Sequence, residues 1–194
     1  MSEENPDDVP RMRRSLSIVS TGGTIEKTYS ELGGELSNRL DEPVKVLDVM
    51  LGRLELPELS VSRVSLMNKD SLDMTEADHT LIAETVEREL AEHGAVVVVH
   101  GTDRLPTTGE RILEHLSSRG PLAGPVVLTG AMRPYELRRT DAVQNLTEAL
   151  LAARMLPPGV YCVMHNDVLP FPGVVKDRER SRFRRSTPSP EAES

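Results

Sequence analysis

LSIVSTGGTI, residues 16–25, joins a short apolar run to an abrupt glycine turn. Residues 16–19 predict a buried strand, and the chain then breaks at once into Thr21-Gly22-Gly23-Thr24. Adjacent glycines allow a sharp turn with accessible backbone N–H groups, because glycine tolerates positive φ and has no Cβ. The Thr21 hydroxyl is therefore expected at the carboxyl end of a strand, where open α/β sheets bind ligands. Taken alone, the stretch is a weak signal for function, because an ordinary strand-to-loop turn with two glycines has the same pattern.

Apolar runs and amphipathic stretches alternate along the rest of the chain. Further strands are predicted over residues 60–66, 95–99, 126–128 and 160–164, and helices over about 75–93, 107–118 and 141–155. The clearest helix begins with a capping-box pattern, Thr75 and Asp78. Its apolar stripe comprises Ala77, Leu81, Ile82, Val86 and Leu90. This alternation predicts a single α/β domain with a parallel, doubly wound, Rossmann-like sheet of about five or more strands and helices on both faces.

The two ends of the chain differ in composition from its middle. Residues 1–14 lack apolar periodicity and are expected to be a disordered lead-in. Residues 15–180 are expected to form the domain, and the polar stretch 26–40 a mobile loop or short hairpin over the first turn. Residues 181–194, rich in Arg and then in Ser, Pro and Glu, are expected to be a disordered tail.

Charge and hydropathy exclude several classes of function. The net charge of -8 argues against general affinity for nucleic acid, and the basic run 176–185 is expected to be solvated, with Arg178 and Arg182 dispensable. No apolar run approaches the roughly 20 residues that cross a bilayer. The acidic stretch 1–10 does not resemble a signal peptide, so a cytoplasmic protein is expected. The single cysteine, Cys162, lies in an apolar run and is expected to be a small buried hydrophobe.

Right-handed crossovers place every strand-to-helix loop of a parallel sheet at one edge. Thr21, Ser71, Thr102 with Asp103, and Ala131 all follow predicted strands. We therefore expect these residues to converge on one cleft.

Four blocks, in this order and spacing, resemble the bacterial L-asparaginase family: Thr21–Ile25, Asp70–Met74, His100–Asp103 and Thr129–Pro134. Residues 140–146 and 166–168 extend the resemblance, which covers roughly residues 15 to 180. The resemblance covers only the first of the two domains usual in the family, so a member of its short-chain branch is expected. The resemblance implies hydrolysis of L-asparagine to L-aspartate and ammonia through a threonine acyl-enzyme, with no metal or cofactor.

The resemblance also implies roles for individual residues. Thr21 would be the nucleophile, with Tyr29 beside it, and Thr102, Asp103 and Lys176 would form a second catalytic cluster. Burial favours the neutral amine of a lysine, which can then accept a proton from a hydroxyl. Positioned acid–base groups such as this lysine contribute a factor of roughly 10² to 10⁴ to the reaction rate.

Substrate recognition requires an anion for the ammonium of the amino acid and donors for its carboxylate. Asp103 suits the ammonium, and Ser71 with nearby N–H groups suits the carboxylate. Backbone N–H groups around Gly22 and Thr102 would stabilise the oxyanion, each worth on the order of 10² to 10³ in rate. The expected substrate-binding set is Gly22, Ser71, Thr102, Asp103 and Ala131.

Alternatives remain for single residues and for the whole chain. Asp103 could cap a strand end, Lys176 could be a solvated surface residue, and His100 is expected to be a structural hydrogen-bonder rather than a base. The chain could be an amidase for another amide, such as that of glutamine, or a non-catalytic amino-acid-binding or assembly module. The expected partners are L-asparagine and further copies of the chain, in a dimer or tetramer that covers the cleft, with no nucleic acid and no membrane.

Overall fold

The computed structural model describes residues 12–38 and 45–186. Within these ranges the strands are β1 (Ser15–Gly22), β2 (Thr28–Ser30), β3 (Glu35–Ser37), β4 (Ser60–Lys69), β5 (Val96–Val99), β6 (Pro125–Thr129), β7 (Gly159–Met164), β8 (Asp167–Pro170), β9 (Val174–Asp177) and β10 (Arg182–Arg185). The α-helices are α1 (Val46–Leu51), α2 (Glu76–His93), α3 (Leu105–Ser117) and α4 (Ala142–Met155).

Six strands form the main sheet, in the order β4-β1-β5-β6-β7-β8. The first five are parallel, and β8 is an antiparallel strand at the edge. The predicted α/β fold is therefore confirmed, with the carboxyl ends of β1, β4, β5 and β6 at one edge. This edge is where the candidate site lies.

Successive valines of β5 divide between two hydrophobic cores, because side chains alternate across a strand. Val96 and Val98 pack with α2 and α3 on one face. Val97 and Val99 pack with α1 and α4 on the other. All four are 0% exposed, and full burial of such a side chain stabilises the fold by roughly 1.5–3 kcal/mol. Helices on both faces thus hold the central strands, and the loops that follow them, in fixed positions.

The start of α2 confirms the capping box that the sequence predicts. The Thr75 hydroxyl accepts a hydrogen bond from the Asp78 N–H, and the Asp78 carboxylate accepts one from the Thr75 N–H. Hydrogen bonds from Lys69 and from the Thr75 backbone lower the pKa of Asp78 to about 2. Leu81, expected in the buried stripe, is instead 44% exposed, so its assignment to the core is wrong.

Both ends of the domain extend beyond their predicted limits. The Arg13 N–H donates to the carbonyl of Arg154 at the end of α4, so part of the expected lead-in packs on the domain. Residues 182–185, expected to belong to a disordered tail, form β10, which pairs with β9 and buries Phe183. The tail prediction is wrong for these residues. Residues 1–11 and 187–194 lie outside the described residues.

The hairpin predicted over the first turn is confirmed for residues 28–37, where β2 pairs with β3. Cys162 is buried in β7, as expected, and burial raises the pKa of its thiol. Of the helices in the described ranges, none combines the length and the apolar character that crossing a bilayer requires.

Candidate active site

Glycines let the loops at the carboxyl edge of the sheet pack backbone against backbone. A Cβ on Gly23 would lie 2.3 Å from the Cα of Gly101, and a Cβ on Gly101 would lie 2.6 Å from Ser71 Cβ. A Cβ on Gly130 would lie 2.3 Å from the His100 carbonyl oxygen. Side chains at these glycines would therefore force apart the loops that follow β1, β4, β5 and β6. The loops converge as the topology predicts, although Thr21 is not among the residues exposed where they meet.

Lys176 joins this edge from β9 and contacts two residues of the loop after β5. Its Nζ donates to Thr102 Oγ1 at 2.7 Å and to Asp103 Oδ1 at 3.1 Å. Thr102 is 4% exposed, and the side chains of Lys176 and Asp103 are 15% and 23% exposed. The structure thus brings together the three residues of the predicted second cluster. Enclosure of this kind strengthens charge interactions between the amine, the hydroxyl and the carboxylate.

Arg178 is a further member of this cluster that sequence reasoning missed. Its Nη2 lies 3.0 Å from Asp103 Oδ1, the same oxygen that Lys176 contacts, although the arginine side chain is 71% exposed. The contact shows that Arg178 is not simply a solvated side chain, and the expectation that Arg178→Gln is nearly neutral stays a prediction. Its spacing from Lys176 was the available signal, because residues two apart on a strand share a face, and Arg178 directly follows β9.

Thr21 is the penultimate residue of β1 and is enclosed within the sheet rather than exposed in the cleft. Its hydroxyl donates to the carbonyl oxygen of Val99 in the adjacent strand at 3.0 Å, and the residue is 0% exposed. A nucleophile has to reach its substrate, and this hydroxyl is enclosed and directed at the main chain. The prediction that Thr21 is the nucleophile is therefore wrong.

Thr24, and not Thr21, is the threonine that begins the loop after β1. It begins a short 3₁₀ turn, Thr24–Glu26, directly after Gly23, the residue that packs on Gly101. Thr24 is partly exposed. The signal for it was present in the motif: the threonine before the glycine pair belongs to the strand, whereas the threonine after the pair begins the loop.

Glu26, which the sequence analysis did not identify, stabilises the glycine turn through its buried carboxylate. Its carboxylate accepts a hydrogen bond from the Ser20 hydroxyl and another, at 3.1 Å, from the Gly22 N–H. Burial raises the pKa of Glu26, against the opposing effects of these hydrogen bonds and of Lys45. The Gly22 N–H is thus engaged inside the loop, so its predicted role as an oxyanion donor is wrong.

Tyr29 lies on the hairpin and is not brought to Thr21. It pairs with Leu36 across β2 and β3 and is 55% exposed. Within residues 12–38 and 45–186, no hydrogen bond joins its hydroxyl to either threonine of the first loop. The predicted pairing of Tyr29 with Thr21 is therefore wrong, because Thr21 is enclosed in the sheet.

Ser71 and Ala131 both lie at the cleft edge, and both are buried. Ser71 is 1% exposed, and its Oγ accepts a hydrogen bond from the Arg104 N–H at 3.4 Å. Ala131 is 0% exposed and packs in the core on the α1 and α4 face, so only its backbone can face a substrate. Asp141 fixes the loop beyond Ala131 by accepting from the N–H groups of Met132 (3.0 Å) and Arg133 (2.9 Å).

These features define a class of protein: an α/β domain in which a lysine, a threonine and a carboxylate meet at the carboxyl edge of the sheet, with a second threonine in the loop that follows the neighbouring strand. The chain belongs to the asparaginase family, because residues 15–183 match the family model described as asparaginase, N-terminal.

Individual relatives agree with this assignment. L-asparaginase from Thermococcus kodakarensis is 30% identical over 154 residues, which cover 79% of this chain and 45% of that protein. The crystal structure of L-asparaginase I from Vibrio cholerae has a TM-score of 0.73 at 26% identity, covering 89% of this chain and 51% of that one. A component of the glutamyl-tRNA(Gln) amidotransferase from Methanococcus vannielii is 28% identical over 169 residues, covering 86% of this chain and 36% of that component. The chain spans about half the length of the L-asparaginases it matches.

Proposed function

We propose that this chain carries the amide-hydrolysing site of an L-asparagine amidohydrolase, which releases L-aspartate and ammonia. The observation that supports the proposal best is the contact of Lys176 Nζ with Thr102 Oγ1 at 2.7 Å and with Asp103 Oδ1 at 3.1 Å. A threonine hydroxyl becomes an effective nucleophile only with a proton acceptor nearby, and a substrate ammonium needs a carboxylate. Membership of the asparaginase family supports the same class of reaction.

The proposed reaction begins at Thr24. Its Oγ attacks the carbon of the side-chain amide and forms a C–O bond, and its proton passes by way of Thr102 and Lys176 to the amide nitrogen. The C–N bond then breaks and ammonia leaves. Water attacks the resulting ester, which releases L-aspartate and restores the Thr24 hydroxyl. Asp103 holds the substrate ammonium, and the Thr102 N–H stabilises the oxyanion.

Ammonia release tests this proposal directly. L-asparagine, L-glutamine and a panel of small amides are supplied to the wild-type chain and to a Thr24→Ala variant. Turnover of asparagine that requires Thr24 supports the proposed enzyme. Calorimetric binding of an amino acid without any turnover would instead identify a binding module and overturn the proposal.

Asparagine is expected to exceed glutamine in kcat/KM by at least about tenfold. The loops that carry Thr24 and Asp103 follow β1 and β5, which are adjacent in the sheet and in register from Ser17 with Val96 to Ser20 with Val99. Their separation is therefore fixed, and an extra methylene displaces the amide from the attacking hydroxyl, where a misplacement of about 1 Å can cost on the order of 10² in rate. Initial rates with both amides measure the ratio, and equal values would contradict the spacing argument.

Arg178→Gln is expected to lower KM for asparagine by about two- to fivefold with kcat nearly unchanged. The arginine competes with the substrate ammonium for Asp103, and an exposed ion pair of this kind is worth roughly 0.2–1 kcal/mol. Succinamate, which lacks the ammonium, is the matched control, and its KM should not fall. A rise in KM for asparagine would show that Arg178 supports Asp103 instead of competing for it.

The similarity to the glutamyl-tRNA(Gln) amidotransferase component favours a second candidate. This is an amidase whose preferred amide is not that of free asparagine. In that case the amide panel would contain a better substrate than asparagine, still dependent on Thr24 and Lys176. A homo-oligomer that covers the cleft, a cytoplasmic location and independence of metal or cofactor stay predictions.

A further inference from the structure

Three fully buried side chains form a hydrogen-bonded chain behind the candidate site. His100 follows β5, Thr108 lies in α3 and His79 lies in α2, and each is 0% exposed. Thr108 Oγ1 lies 2.8 Å from His100 Nε2 and 2.8 Å from His79 Nδ1. The other nitrogen of His100, Nδ1, lies 2.8 Å from the Gly101 carbonyl oxygen. The two rings are nearly parallel, at 18° with centroids 6.5 Å apart.

The chemistry of the donors and acceptors determines which group donates in each of these hydrogen bonds. A carbonyl oxygen only accepts, so His100 Nδ1 carries a proton and donates to the Gly101 carbonyl. Burial lowers the pKa of His100 to about 4, so the ring is neutral at pH 7 and its Nε2 has to accept. Thr108 supplies the proton for that bond, because His100 Nε2 at 2.8 Å is a nearer acceptor for its hydroxyl than the Arg104 carbonyl oxygen at 3.2 Å. Since a hydroxyl has one proton, Thr108 Oγ1 then accepts from His79 Nδ1–H.

The last acceptor in this series of hydrogen bonds is the Gly101 carbonyl, which belongs to the same peptide unit as the Thr102 N–H. In a trans peptide the C=O and N–H bonds point in opposite directions. His100 draws the Gly101 carbonyl toward the buried ring, so the Thr102 N–H points away from the helix layer formed by α2 and α3. Within the described residues this N–H donates no hydrogen bond to the protein.

We propose that His79, Thr108 and His100 are positioning residues that orient the Gly101–Thr102 peptide so that the Thr102 N–H faces the developing oxyanion of the substrate. The inference rests on the proposed amide hydrolysis for its catalytic consequence, and on the buried contacts and the neutral His100 ring for the direction of the hydrogen bonds. None of the three side chains touches the substrate. Their effect is to prevent rotation of one peptide unit, which matters because an oxyanion donor acts only when it is aligned in advance.

Thr108→Val and Thr108→Ser form the matched pair of variants. Valine keeps the shape and removes the hydroxyl, which leaves His100 Nε2 without its donor. We expect Thr108→Val to lower kcat by about tenfold to a hundredfold with KM changed less than about twofold, because the oxyanion exists only in the transition state. Thr108→Ser should retain kcat within about twofold of wild type, since its hydroxyl restores the chain. A serine variant as impaired as the valine variant, or a valine variant with wild-type kcat, would overturn the proposal.

Nitrogen-15 NMR of the histidine rings in the wild-type chain provides a readout that does not depend on any variant folding. His100 should be a neutral ring protonated at Nδ1, and His79 should be protonated at Nδ1 as well. A His100 ring protonated at Nε2, or at both nitrogens at pH 7, would overturn the inference. If the wild-type protein hydrolyses none of the amides, that result counts against the proposed function. The ring spectra would still decide the direction of the hydrogen bonds among His79, Thr108 and His100.

Discussion

Lys176→Met is expected to lower kcat for asparagine by at least about a thousandfold while the sheet stays folded. Lys176 is the proposed proton acceptor and contacts Thr102, and positioned acid–base groups contribute a factor of roughly 10² to 10⁴ to the rate. Methionine keeps most of the length of the side chain and removes the amine, and Asp103 then retains only Arg178 as its cationic partner within the described residues. Ammonia release measures the loss, and circular dichroism with a thermal melt checks the fold.

Arg182→Gln is the control for this substitution. Arg182 comes from the same basic run, lies in β10 and is exposed, and it has no contact with Thr102 or Asp103 in the part of the chain that the structure describes. Its removal should leave kcat nearly unchanged. A Lys176→Met variant that keeps more than about a tenth of wild-type turnover would show that the proton acceptor lies elsewhere, since a loss of that size is below the range for such groups.

The sheet could be predicted from the sequence because its signals are local and repeated. The valines of β5 are apolar without interruption, as expected of a strand buried on both faces, and the capping box at Thr75 fixes where α2 begins. Topology then determines which loops meet. Lys176 was a different case. Its neighbours are ordinary in composition, and only the family resemblance separated it from a solvated lysine.

What the sequence could not supply was the register within short motifs. Two threonines flank the glycine pair, and their three-residue separation places one in the strand and the other in the cleft. Two further contacts could not be read from local sequence. Arg178 pairs with Asp103 of a separate segment, and the Glu26 carboxylate accepts from the Gly22 N–H across the turn. β10 was missed because three of its four residues are arginines, and its single apolar residue, Phe183, carries the burial.

Thr24→Ala and Thr21→Val are expected to separate catalysis from stability. Thr24→Ala removes the proposed nucleophile, so kcat should fall by several orders of magnitude with the melting temperature almost unchanged, because this hydroxyl makes no hydrogen bond within the described residues. Thr24→Ser, which keeps a hydroxyl on the same backbone, should retain measurable turnover.

Thr21→Val should give the opposite pattern. Valine preserves the shape of the buried side chain but removes the donor to the Val99 carbonyl, 3.0 Å away in the native chain. A buried acceptor left without its partner costs about 1–3 kcal/mol, so urea unfolding should show a loss of this size. The loop that carries Thr24 begins after β1 ends at Gly22, so kcat should stay within a few-fold of wild type. If Thr21→Val inactivates the enzyme without destabilising it, while Thr24→Ala remains active, then the buried threonine is the nucleophile after all. The burial argument that assigns the reaction to Thr24 would then fail.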